Sequence, residues 1–349
     1  MSPIKSSLAR SVAKLLGVSR DRDLSLRGTV QNFRSDKDLG VQASGGTEIV
    51  TPTAKFHVYM GASEQNFSVT QGGLVEVLVV AGGGSGGYFY GAGGGAGGIV
   101  HAAEFPVETG QTYKVSAGDG AGSRPNSQGY GNNGSNSYLK PGPAPAAASA
   151  TNLFAMGGGG GGYSGDPDDV FPTPYKNSTG SSGGTVGPAV PLSSRVPSFP
   201  SSPQHPSASK YSNGGAAGQE NNNGGGGGGA GAAAGTNQDG GTSNPASPGG
   251  AGRPFSNFPA PVIAPAIPGS AQPRWTPAVG PTGLFGGGGA GYEAPGSVAA
   301  APGGGGGWYD PEASGIHDAV NYTGGGGAGP NPDTGLGGHG IVLVRYAVT

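Results

Sequence analysis

The sequence predicts a mainly β protein in which a sheet core carries a bundle of extended glycine helices, with a short helix at the N-terminus and long irregular loops. Three observations predict it. Residues 74–80 form a nearly unbroken aliphatic, mostly β-branched run with Glu76 as its only charge, the pattern of a strand covered on both faces. That run passes directly into a glycine tract, and a second apolar run at 341–346 matches it close to the other end of the chain. Between the two, the chain keeps returning to the same glycine-dense composition, which flexible linkers do not do.

Composition narrows the class. The 349 residues include 78 Gly and 31 Pro, a share that flags collagen-like or low-complexity chains. Only 11% are charged, whereas disordered chains are charge-rich, and no strict Gly-X-Y period is present to wind a collagen helix. The formal net charge of −2 gives no electrostatic case for a nucleic-acid partner. The absence of cysteine removes disulfides and thiolate metal ligands. No apolar run is long enough to span a bilayer, so no membrane insertion is expected. A secretory h-region is also missing, and release by cell lysis is the expectation that fits.

Taking the elements in order, Ile4, Leu8, Val12, Leu15 and Leu16 fall on one stripe, with Lys5, Arg10 and Lys14 away from it and Gly17 as a stop. A helix of this length is marginal alone, so its apolar face needs a partner. Residues 1–46 are expected to form an arm that docks on another protein through that stripe. The same helix packed on its own domain is an equal reading, and a membrane-surface helix is disfavoured by its thin positive face.

Residues 47–156 read as the β base. Strands are expected at 48–50, 55–60, 65–69, 74–81, 98–105, 112–117, 137–139 and 151–156, with turns at 61–63 and 71–73. Residues 340–349 return as the closing strand. Two buried strands nearly the whole chain apart imply a shared sheet core with a long insertion between them, whose loop-closure cost rises only slowly with length.

That insertion, 157–339, is expected to be the glycine-helix body. Glycine-dense tracts lie at 82–98, 157–162, 214–235, 286–291, 303–307, 324–329 and 335–340, separated by Pro-, Ser-, Asn- and aromatic-rich segments such as 166–211 and 253–285. Extended threefold helices rise about 3.1 Å per residue and have no internal hydrogen bonds. Laid side by side, they satisfy each other's N–H and C=O groups, and only glycine lets backbones touch on all sides. Gly82, Gly83, Gly84, Gly94, Gly159, Gly226, Gly288, Gly305 and Gly326 are therefore expected to be packed. A flexible tether would mix in more Ser and Thr.

The combination of Phe67-Ser68-Val69, VEVLVVAGGGSGG from Val75, GGGAGGIV from Gly93, TYKVSAGDGAG from Thr112 and GGHGIVLVRY from Gly337 resembles the glycine-rich domain family, found in bacteriophage tail fibres, adhesins and other virion proteins. The resemblance spans roughly 47–349. It implies a β-sandwich-like base, polyglycine type II helices, and loops at the distal tip that bind a host surface. The expected protein is a virion structural component, extracellular after lysis. Its expected partners are other virion proteins through the arm and a host glycan or outer-membrane protein at the tip. A homo-oligomer, as a trimer, is expected by analogy with fibres, although no heptad specifies one. The longer Pro-rich insertions and the N-terminal helix depart from the family pattern, so no receptor carries over. Two other readings remain open: a capsid decoration or tail-assembly protein, and a bacterial extracellular filament subunit polymerising by strand exchange at 48–60.

Catalytic motifs fail on context, so no enzyme and no cofactor are expected. Gly82, Gly84 and Gly87 match a dinucleotide fingerprint after a strand, but no helix follows to hold a pyrophosphate. Residues 83–87 match a nucleophile elbow with the same defect. The five histidines lack metal-ligand spacing. Asp166, Asp168 and Asp169 could hold Ca²⁺ but are first a turn signal. Aromatics at the ends of the interruptions are the candidates for contact, either stacking on sugars or anchoring a protein hot spot. Trp308, Tyr309 and Asp310, after five glycines, come first, then Arg274 with Trp275, then Tyr292 and Tyr322. The alternative for each is packing at the ends of the bundle.

Overall fold

The computed structural model describes residues 40–88, 90–122, 129–142, 152–163, 180–185, 205–216, 218, 224–235, 247–292, 299–307, 317–329 and 334–348. The expected docking stripe, Ile4, Leu8, Val12, Leu15 and Leu16, lies outside the described residues, as do Trp308, Tyr309 and Asp310.

Two antiparallel sheets face each other across a common core, and the base is not a barrel. One sheet has the order β1 (Gln42–Ser44), β4 (Gln65–Gln71), β7 (Thr112–Ser116), β8 (Ser137–Pro141), β9 (Leu153–Ala155). The other runs β10 (Ala208–Tyr211), β6 (Ile99–Val107), β5 (Gly73–Val80), β13 (Ile341–Ala347), β3 (Ala54–Tyr59), β2 (Thr47–Val50). A third, two-stranded sheet pairs β11 (Arg253–Pro254) with β12 (Leu284–Phe285). The closing strand β13 lies between β5 and β3, with Ile341 opposite Val80 and Val342 opposite Tyr59. Residues 42–44, expected in the arm, instead form an edge strand on β4, so the arm gives way to the base earlier than 46.

The continuous apolar runs are explained by burial on both faces. Successive strand residues point to opposite sides. Val75, Val77 and Val79 of β5 and Val342, Val344 and Tyr346 of β13 meet Phe67, Tyr113, Val115, Leu139 and Leu153 of the facing sheet. Leu78, Val80, Ile341 and Leu343 point the other way, into a second core. That second core is closed by residues 253–285, where the sequence predicts an irregular loop.

This segment folds as a cap. It contains α1 (Ala260–Ile263), a 3-10 turn over Ala264–Ala266 and α2 (Gln272–Val279). Pro261, Pro265 and Pro273 sit at first-turn positions, where no amide is lost and the fixed φ suits the helix, while Pro277 lies inside α2. Gly280 ends α2 with φ +59°, a backbone state that favours glycine. Phe255, Phe258, Ile263, Ile267, Trp275, Val279 and Phe285 are buried against the sheet.

A polar cluster fixes the cap to the sheet. Glu76, on the cap-facing side of β5, accepts hydrogen bonds from Asn257 of the cap at 3.0 Å, Arg345 of β13 at 3.2 Å and His101 of β6 at 2.9 Å. Burial by itself would raise the Glu76 pKa, but the hydrogen bonds and the His101 and Arg345 charges hold it below the usual carboxylate range. On the other face, the buried His57 donates from Nδ1 to the Gly45 carbonyl at 2.7 Å and accepts at Nε2 from the Tyr346 hydroxyl at 3.0 Å. These bonds tie the β1–β2 turn to β3 and β13.

The glycine tracts grow out of one end of the sheets. Residues 82–87 leave β5 and 92–98 return to β6, and this hairpin is the centre of the array. The amides of Gly82, Ser85 and Tyr88 donate to Ser135, Asn132 and Gly129, those of Gly83 and Gly86 to Gly338 and Gly335, and those of Gly84 and Gly87 to Gly95 and Ala92. Every third residue thus addresses the same neighbour. The carbonyls of Gly82, Gly83 and Gly84 accept from three further tracts, at Gly158, Ala121 and Gly327. The returning strand behaves alike: Ala92, Gly93 and Gly94 donate to Gly162, Gly225 and Gly327, and Gly95, Ala96 and Gly97 to Gly159, Gly228 and Gly324. Backbone groups here are satisfied between tracts rather than within them, as buried polar groups must be.

Candidate functional site

Packing dictates which residues occupy these tracts. A Cβ built on Gly82, Gly83, Gly84 or Gly94 would overlap the carbonyls of Asp119, Gly325, Gly159 and Gly84 respectively. One on Gly226, Gly288, Gly305 or Gly326 would overlap Pro248, Gly227, Gly288 and Gly94. Gly159 is itself buried and donates to the Ser181 carbonyl at 2.9 Å. All nine glycines singled out from the sequence lie inside the array.

The side chains that enter the array are small or supply acceptors: Ala92, Ala96, Ala290 and Ala328 are buried in it, and several polar side chains take the place of a backbone partner. Ser85 is fully buried, and its hydroxyl accepts the Asn132 amide at 2.8 Å. Asn136 and Asn133, three residues apart on one outer tract, present side-chain oxygens to the amides of Gly157 and Gly160 at 2.9 Å. Ser182 does the same for Gly215. At the margin of the array, Ala232 and Ala233 are exposed.

The far end of the array lies away from the sheets, and its tracts are bonded to one another there: Gly224 donates to Tyr292, Tyr292 to Gly91, Gly218 to Thr185, Gly329 to Ala290, and Ala328 to His317. Trp308, Tyr309 and Asp310 follow Gly307 in sequence and lie outside the described residues.

Tyrosines gather at the far end. Tyr90 and Tyr292 meet edge to face with centroids 4.7 Å apart, and Tyr130 and Tyr163 do so at 6.5 Å. Tyr90 has φ +54°, a left-handed state that is rare for a bulky residue. Tyr88, Tyr90, Tyr130 and Tyr163 are half-buried, while Tyr292 is buried beneath Tyr90. The sequence pointed to Tyr292 but passed over its partner Tyr90, whose position beside the first glycine tract was the available signal.

Other candidates sit elsewhere. Trp275 is not a tip residue. It is 0% exposed, with its indole N–H donated to the Tyr322 carbonyl at 3.0 Å and its ring edge-on to Phe285. The large apolar ring closes the second core instead of reaching solvent. Arg274, next to it on α2, is exposed and donates to the Asp318 carbonyl at 2.6 Å. Tyr322 lies in the turn at the sheet end of the array, half-buried with φ +63° and stacked on His339. Neither belongs to the far end.

The described residues that form the far end (86–88, 90–95, 129–133, 160–163, 183–185, 224–226, 247–249, 289–292 and 327–329) include no Asp, Glu, Lys or Arg. Among the described residues, no group of three or more His, Cys, Asp or Glu could hold a metal ion, and no helix is long and apolar enough to cross a membrane.

A family model described as a glycine-rich domain matches residues 60–347, from the end of β3 to the last residue of β13. No curated protein matches the chain.

Proposed function

Since this chain belongs to the glycine-rich domain family, we propose that it is a structural protein of a bacteriophage virion, an adhesin or tail-fibre tip that holds recognition loops against a host cell surface. In this reading the tracts are polyglycine II helices. Support comes from amides that address the same neighbour every third residue, the repeat of a threefold helix, and from side chains excluded by neighbouring carbonyls.

One observation carries the functional reading: the glycine tracts are hydrogen-bonded to one another along their length and rooted at one end in the sheets, which makes them a rigid platform. Fixing both ends of a loop on a rigid platform lowers the ordering cost of binding, and loops on rigid scaffolds are where recognition residues concentrate. In this reading the recognition residues include Trp308, Tyr309 and Asp310, which follow the tract residue Gly307 in sequence. The N-terminal arm would attach the protein to other virion proteins through Ile4, Leu8, Val12, Leu15 and Leu16.

The test is to label the purified full chain and incubate it with a panel of bacterial cells. Surface labelling of a subset of strains is expected. Replacing 308–316 by Gly/Ser of equal length should abolish it while the circular dichroism spectrum is unchanged. Labelling of virions alone, with every cell strain unlabelled, would overturn the reading in favour of a decoration protein.

A further inference from the structure

We infer that the outer strand β2 (Thr47–Val50) is the docking edge for a second copy of this chain. The two strands pair antiparallel across a two-fold axis at Ile49 and join two six-stranded sheets into one.

Two independent sets of bonds assign the outward backbone groups of β2. Hydrogen-bonded and open pairs alternate along an antiparallel ladder. The Thr51 amide donates to the Ala54 carbonyl at 2.9 Å. With Ile49 opposite Phe56 and Thr47 opposite Val58, it is Thr47 and Ile49 whose backbone groups face β3. On the other side of β3, the Val348 amide donates to the Thr53 carbonyl at 3.3 Å. With Tyr346 opposite Lys55 and Val344 opposite His57, the same alternation commits Thr53, Lys55 and His57 to β13 and leaves Ala54, Phe56 and Val58 to β2. The two assignments agree. The amides and carbonyls of Glu48 and Val50 therefore point away from the sheet. Thr47, Glu48 and Val50 are exposed, so this edge lies open to solvent. At 69% exposure, Val50 is the most exposed large hydrophobic side chain among the described residues. An open edge with such a residue is a template for another strand.

The edge fits itself in one register. With Ile49 facing its own symmetry mate, Glu48 exchanges both backbone bonds with the partner's Val50, and Val50 does so with the partner's Glu48. The isoleucines form the open pair between them, where side chains approach most closely, on the face that packs against the cap. Glu48 then lies opposite an uncharged side chain, and its own charge is met by Lys55 at 2.8 Å. The neighbouring two-fold registers that use the same outward groups fail. Centring on Glu48 sets two carboxylates directly opposite each other, which is destabilising. Centring on Val50 sets Glu48 opposite Pro52 of the partner subunit, and proline has no amide to donate. A two-fold contact is isologous and closes at two copies, so it builds neither a trimer nor a filament.

The experiment is sedimentation velocity of the purified full chain over a range of concentrations, where a monomer–dimer equilibrium is expected. Val50→Pro removes one outward amide and no bond of the fold, a place where an edge strand tolerates proline. Its melting temperature should stay at the parent value while dimer affinity falls at least tenfold. Cysteines read the register, in a chain that has none of its own. Under mild oxidation Ile49→Cys faces its own mate within reach of a disulfide. It should cross-link at least tenfold faster than Val50→Cys, although Val50 is the more exposed of the two. A parent that is monomeric at every concentration, or that forms trimers or open polymers, would overturn the proposal. So would undiminished dimerisation of folded Val50→Pro, or Val50→Cys cross-linking as fast as Ile49→Cys. If Val50→Pro does not fold, the two cysteine variants decide alone.

Discussion

Gly84 donates its amide to the Gly95 carbonyl at 2.9 Å, while the position its missing Cβ would take is already filled by the Gly159 carbonyl. The same residue is thus bonded on one side and in steric contact on another. Backbone at such density cannot yield to a side chain without moving a neighbour that is itself bonded.

Gly84→Ala should therefore destabilise the protein by roughly 3 kcal/mol or more, at or above the upper end of ordinary overpacking, and Gly84→Val should not give folded protein. Two control glycines separate packing from conformation. A Cβ on Gly61 meets nothing within 4 Å, but φ is +86°, so Gly61→Ala should cost about 1–2 kcal/mol from the left-handed state alone. Gly269 has both open space and an ordinary φ, and alanine there should be neutral or stabilise by about 0.5 kcal/mol through the unfolded chain. Urea unfolding of the three variants checks the ranking. Equal, small effects would mean that the tracts are tethers.

Trp275 is predicted to behave as a core residue. Trp275→Ala should cost about 3–5 kcal/mol, typical of a large aromatic removed from a filled core. Trp275→Phe keeps most of the volume but leaves the Tyr322 carbonyl without its donor, costing about 1–2 kcal/mol. A surface contact residue would instead leave the melting temperature unchanged and lower binding alone.

The contrast between Trp275 and the strands shows what the sequence could convey. Strands β2 to β9 and β13 were legible because two-residue alternation and β-branched runs are local signals, and the apolar stretch at 74–80 correctly announced burial on both faces. The partner on the second face was not legible. The cap at 253–285 is built of two short helices interrupted by prolines, so it shows no sustained 3.6-residue period. Its aromatics therefore looked like loop tips. The edge strands β1 and β10 were missed for a related reason: short and half-exposed, they are defined by their partners β4 and β6 rather than by their own residues. At the far end, Tyr292 was found but its pairing with Tyr90 depends on tracts that are distant in sequence.

Stability should fall with acid in two separate windows. Burial of the His57 ring, with Lys55 adding to it, holds its pKa below the ordinary 6.5 despite the Gly45 hydrogen bond. The folded state thus prefers neutral imidazole, while the unfolded chain takes up a proton. Its contribution is complete above about pH 6.5 and is lost as pH falls from there toward the folded value. Glu76 is also held low, below the ordinary 4.5, and its contribution is lost only as pH falls below that. Thermal melts from pH 8 to 3 should show both declines. His57→Phe should flatten the upper one, at a cost of about 1–3 kcal/mol at pH 8 from its two lost hydrogen bonds, and Glu76→Gln should flatten the lower one.

Amide exchange reads the array residue by residue. Gly83, Gly84, Gly86 and Gly93–Gly97 donate to neighbouring tracts and are buried, so their exchange should approach the slowness of the core strands, since release requires neighbouring tracts to part. At the margin, the two asparagine acceptors differ in a useful way. Asn133 is half-buried and Asn136 exposed. Asn133→Ala leaves the Gly160 amide without its acceptor in a site that water enters poorly, which should cost about 1–2 kcal/mol and speed exchange at Gly160. Asn136→Ala opens the Gly157 amide to solvent, which takes over as acceptor, so stability should change by less than about 0.5 kcal/mol. Rapid exchange at Gly84 and Gly94 in the parent protein would contradict a packed array, and the asparagine pair would then have no differential effect.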